Sequence, residues 1–126
     1  MTEKVYYKIL ACDWVHHGFQ YKEGLNVDTV PFNPTGLCTP GGLYFTEKEN
    51  IFDFLEYGCF IVEVRLPVDA RVYKDNNKYK ADKIIISNPQ FLSDYVQTLS
   101  RLKKLDLRLK YPSKRFCLLW LLTVAL

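Results

Sequence analysis

Side chains suited to proton transfer or metal binding are scarce in this chain of 126 residues, which holds two histidines, His16 and His17, and four cysteines, Cys12, Cys38, Cys59 and Cys117. Neighbouring side chains diverge on a strand or a helix, so the two imidazoles cannot both face one site there, and a surface or packing role is expected of them. The cysteines stand singly, with no CxxC pair and no Cys/His cluster at ligand spacing, so no metal site is expected. P-loop, GxGxxG, GxSxG and HExxH patterns are all absent, which removes the commonest nucleotide, hydrolase and metalloprotease chemistries. MTEKVYYKIL has no apolar run long enough for a signal-peptide core, so a reducing compartment and free, buried thiols are expected.

Size and composition bound the scaffold. At 48% hydrophobic and 25% charged residues the chain fits one globular core. Its formal charge of +3 is uneven. Residues 101–115 carry seven Lys or Arg against the single acid Asp106, which leaves the remainder at −3. That run is read as a solvated face, and no specific nucleic-acid partner is expected. Phe116 to Leu126 is apolar except for Thr123, yet eleven helical residues reach only about half of a bilayer's hydrocarbon core. A buried last strand, a short closing helix or a monotopic tail remain open there. The alternation of LDLRLKY favours the strand, and membrane attachment is not expected.

The rest of the chain punctuates itself. Pro31 to Gly42 holds six of the twelve Gly and Pro residues and must be a loop. VYYKIL, Val5 to Leu10, reads as a strand, Trp14 to Glu23 as a short helix stopped at Gly24, and LYFT as a strand. Thr46 with Glu49 forms a capping-box pattern, with Ile51, Phe54 and Leu55 on one face, so Glu47 to Tyr57 should be helical. Phe60 to Leu66 alternates as a strand ended by Pro67. Lys80 to Ser87 should be one further strand, with Ile84, Ile85 and Ile86 buried on both faces. Asn88 and Pro89 should start a helix running to Lys104. Lys8 and Lys80 are read as solvated. The fold class expected is α+β, a small, twisted, largely antiparallel sheet with two main helices, made of a domain over 1–104 and a basic then apolar tail over 105–126 packed on it.

Several blocks in order, HHGFQYKEGLNVDTVPFNP, PGGLYFTEKENIFDFLEYG and KADKIIIS, resemble the N-terminal module that precedes ankyrin repeats in proteins of mimivirus-type giant DNA viruses. The resemblance covers about residues 5 to 90. Beyond Ser87 the sequence shows no ankyrin unit. A more distant resemblance is to the ADP-ribosyltransferase fold of poly(ADP-ribose) polymerases, carried by GGLYFTEKENIFDFLEYGCFIVEVRLP and YKADKIIISNPQFLSDYV. It implies Tyr44 stacking on nicotinamide, with Tyr57 or Phe54 as a second wall, and Asp82 as the catalytic acid. The His expected on the first strand falls near Lys8.

Together these readings describe a viral accessory protein of the infected host's cytoplasm or of the virion. It would act as a non-catalytic module recognising a protein partner or a small ligand. No cofactor is expected, NAD entering only if the transferase resemblance governs. The site would lie beside the Pro31 to Gly42 loop, with Gly42, Tyr44, Phe54, Tyr57 and Asp82.

Overall fold

The computed structural model describes residues 3–36 and 39–103, without the side chains of 55–57 and 100–103. The expected tail over 105–126 lies outside the described residues. Runs rich in aromatic and β-branched residues give β1 (Tyr6–Leu10), β6 (Phe60–Arg65) and β9 (Lys83–Phe91). With β4 (Gly24–Val27) they form a four-stranded sheet in the order β1-β6-β9-β4, every pair antiparallel. A second, three-stranded antiparallel sheet runs β5-β8-β7, from β5 (Leu43–Phe45), β7 (Val72–Asp75) and β8 (Lys78–Ala81). The fold is thus the α+β arrangement expected.

The pleat of the larger sheet divides the core in two. Ile9 and Ile61 face a cluster completed by Ile51, Phe52, Leu92 and Val96, contributed by a 3₁₀ helix (Lys48–Tyr57) and by α1 (Leu92–Lys103). Leu10, Val62, Val64, Ile84 and Ile86 face the other way and meet Leu43, Phe45 and Ala81 of the smaller sheet. The strand period of two sends neighbouring residues to opposite layers, so helices cover one face and a sheet covers the other.

Five local expectations give way to tertiary structure. Trp14 to Glu23 is no helix but a hairpin of β2 (Val15–His16) and β3 (Phe19–Gln20). Its two-residue turn, His17 at φ 50° and Gly18 at φ 77°, has both centres left-handed, which suits the twist of the strands it joins. Lys80 to Ser87 divides at Asp82 into β8 and β9. Ile84 and Ile86 are buried, but Ile85 between them is only half-buried, so one face of β9 is apolar rather than both. Asn88 and Pro89 lie inside β9 instead of opening a helix. The register passes from Ile61 opposite Gln90 to Glu63 opposite Ser87, one extra residue on β9, and this bulge accepts Asn88 at φ 57° and a proline without an N–H.

The fourth and fifth departures concern the helix after β5 and the thiols. Lys48–Tyr57 winds as 3₁₀ helix with a break at Phe54 (φ −117°, ψ 18°), and the Thr46 hydroxyl donates to the Asn77 carbonyl rather than capping the helix. Cys12 and Cys59 form a disulfide with Cα atoms 5.4 Å apart, where free thiols were expected. Leu10 pairs with Phe60 at the adjoining strand ends, and the Cys59 N–H donates to the Leu10 carbonyl at 2.9 Å. The register itself therefore brings the two cysteines together.

Candidate functional site

Lys8 lies mid-strand in β1, where alternation sends it to the face of Tyr6 and Leu10, toward the smaller sheet. It is 5% exposed. Its ammonium donates to the Tyr44 carbonyl at 2.5 Å and stands 4.7 Å from the Tyr21 ring centroid. Burial pushes its pKa down to about 7, because a charged amine loses hydration there that one carbonyl and one ring face only partly replace.

Why that carbonyl is available follows from the backbone. Tyr7 and Thr46 exchange both of their hydrogen bonds, at 2.8 and 2.9 Å, joining the free edge of β1 to the residue after β5. Antiparallel continuation would next pair Ile9 with Tyr44. Instead the strands part. Lys8 takes the Tyr44 carbonyl, and a cavity of about 80 Å³ opens in the gap, with Ile9 and Tyr44 on its two sides. Since Tyr7 turns its polar groups toward Thr46, the ladder turns those of Ile9 the same way. Among the described residues no hydrogen bond closes on the Ile9 N–H or C=O.

Other elements wall this gap. Ile51 and Phe54 come from the 3₁₀ helix, and Lys78 from β8, its amine 4.8 Å from the Tyr44 ring centroid. His16 and His17 come from the hairpin and stack at 4.2 Å. Contrary to expectation both imidazoles line one cavity, because His17 occupies the left-handed turn rather than the next position of a regular strand. Burial, then the charges of Lys8 and His17, push the pKa of His16 down to about 4. No Asp or Glu lines the cavity among the described residues.

The residues proposed from sequence are placed unevenly. Tyr44 and Phe54 line the cavity, and the Tyr44 hydroxyl donates to the Thr39 carbonyl at 3.0 Å, anchoring the ring to the Pro31 to Gly42 loop. Tyr57 ends the 3₁₀ helix, and its side chain lies outside the described residues. Gly42, at φ 143°, lies against Lys80, where a Cβ would approach the lysine Cδ to 2.7 Å, and its N–H donates to Asp28 at 2.8 Å. Asp82 does not line the cavity. Its carboxylate accepts from the Arg71 N–H at 2.8 Å and Nε at 3.2 Å. Burial would raise the pKa of Asp82, but these bonds and the charges of Arg71 and Lys83 outweigh it and hold the pKa low.

Two buried lysines were misread as solvated. Lys80 is fully buried, with its amine 3.1 Å from the Thr39 hydroxyl. For Lys8 a signal existed: in YYKIL it shares its face with Tyr6 and Leu10. Among the described residues no cluster of His, Cys, Asp and Glu could hold a metal ion, and no helix is long and apolar enough to cross a membrane.

The chain is 42% identical over 101 residues to R868 of Acanthamoeba polyphaga mimivirus, named as an ankyrin repeat protein, a match covering 75% of this chain and 50% of that one. It is 40% identical over 100 residues to the uncharacterized protein R869 of the same virus, covering 75% of this chain and 72% of that one. A further mimivirus protein named for ankyrin repeats, R229, is 36% identical over 109 residues, covering 74% of this chain and 36% of that one. The chain thus spans about half the length of the first of these relatives. No family model and no solved structure matches it. The resemblance to mimivirus ankyrin-repeat proteins is thereby established, and the one to ADP-ribosyltransferases finds no support.

Proposed function

We propose that this chain, which belongs to the family of mimivirus proteins represented by R868 and R869, is a non-catalytic recognition module that holds a small ligand between β1 and β5. The observation that carries this reading is the parting of the two strands after the Tyr7 and Thr46 bridge. It leaves an aromatic gap, an unpaired stretch of backbone at Ile9 and a buried amine at one place. Mostly apolar walls with a few convergent polar groups are the usual make-up of a ligand site. Transferase chemistry would need a carboxylate beside Tyr44, and Asp82 is engaged by Arg71 instead. In the relatives named for ankyrin repeats, such a module would supply ligand recognition beside a repeat surface.

Backbone amide NMR during titration with a library of small fragments tests this. Saturable shifts centred on Ile9, Tyr44 and Thr46, weakened by Tyr44→Ala, are expected. Shifts scattered over the surface would overturn the cavity as the site. Saturable binding of NAD that both Tyr44→Ala and Asp82→Ala abolish would overturn the non-catalytic reading.

A further inference from the structure

Resting on that recognition reading, we infer that the cavity between β1 and β5 takes a small carboxylate on a compact apolar group, its carboxylate meeting the Lys8 amine and the Ile9 N–H. The charge of the walls points this way. Lys8 and Lys78 both line the cavity, whereas no acid does among the described residues. The donors point this way too. A protonated lysine has three N–H bonds, and one of these on Lys8 is spent on Tyr44. The Ile9 N–H is turned to the same gap by the strand ladder.

Size sets the rest of the ligand. At about 80 Å³ the gap is smaller than a cavity that encloses benzene. It therefore seats the carboxylate and a few carbons. The open Ile9 C=O would by itself welcome an amide N–H, so a matched neutral amide is the sharpest competitor. A charge-assisted bond to a buried amine is about twice as strong as a neutral one, which decides for the carboxylate.

Lys8 has a pKa of about 7, so an anion bound there draws a proton onto the amine. The titratable and charged groups lining the cavity around it are Tyr7, His16, His17, Tyr44 and Lys78, with the Tyr21 ring against the amine. His16, near 4, stays neutral across the range in which Lys8 titrates.

Propionate and propionamide, equal in shape and different in charge, are the probes, titrated into the full chain at pH 6.5 and followed by amide NMR. Propionate should shift Ile9, Tyr44 and Thr46 and bind at least about tenfold more tightly than propionamide. Lys8→Met should weaken propionate far more than propionamide and so remove that preference. Lys78→Gln should weaken propionate a few-fold, and it carries the test should Lys8→Met fail to fold. Equal or tighter binding of propionamide to the native chain would overturn the carboxylate and leave the recognition cavity standing. No saturable shift of these amides with either probe would overturn both.

Discussion

Lys8 is a buried amine whose pKa burial lowers. Its pKa when folded, about 7, lies below that of an unfolded lysine, so between there and about pH 10 the unfolded chain binds a proton that the folded chain has released. Stability attributable to Lys8 therefore rises with pH across that window, by at most about 1.4 kcal/mol per pH unit. Urea midpoints should climb from pH 7 to 9.5 in the native protein and stay nearly level in Lys8→Met. Parallel profiles for the two would refute the buried-amine assignment. Above that range the trend reverses, because burial raises the pKa of Tyr21 and takes that of Tyr95 to about 12. Lys8 could be suspected from alternation within YYKIL. Tyr44 was singled out only through the transferase resemblance, which finds no support, and the partnership of the two could not be read, since residues 36 positions apart meet only through the fold.

Among the elements, the hairpin supplies two residues of the cavity wall, and the disulfide ties the chain after β1 to the start of β6. His17 and Gly18 form a turn with both φ angles positive. Gly18→Ala should cost about 1 kcal/mol, from backbone strain alone, since a Cβ there meets nothing within 4 Å. Gly58 is constrained differently. Its φ is not left-handed, but a Cβ there would overlap the Leu10 carbonyl. Gly58→Ala should push β1 from the start of β6, lower the melting temperature by several degrees and slow formation of the disulfide. Replacing Cys12 and Cys59 by Ser should cost about 2–4 kcal/mol in denaturant unfolding, and should broaden the His16 and His17 resonances if the disulfide steadies the hairpin over the gap. The helix expected at Trp14 to Glu23 failed because apolar spacing in ten residues fits two periods about equally, and the left-handed turn decided between them. The helix after β5 was located correctly from its sequence, but its 3₁₀ winding was not legible.

Across the whole molecule, β6 and β9 hold the layers together. Val64 and Ile86 are paired and both almost wholly buried between the two sheets, so Val64→Ala or Ile86→Val should cost about 1–3 kcal/mol through lost packing. Thermal unfolding should show both losses as one cooperative transition. A two-step transition would mean that the sheets unfold separately. Aromatic and β-branched content announced β1, alternation announced β6, and Gly and Pro clustering announced the long loop.

What the sequence determined by itself was everything set by neighbours along the chain: an α+β domain, strands where apolar residues alternate, a loop where Gly and Pro gather, and a family marked by blocks in order. The tertiary structure alone decided where β1 leaves β5, that Lys8 reaches the Tyr44 carbonyl, that Cys12 meets Cys59, and that Asp82 turns to Arg71. The physical reason is one of range. Periodicity and turn propensity act over a few residues, whereas a site assembled at the gap between two strand edges depends on register, and register is fixed only when both faces of the sheet are covered.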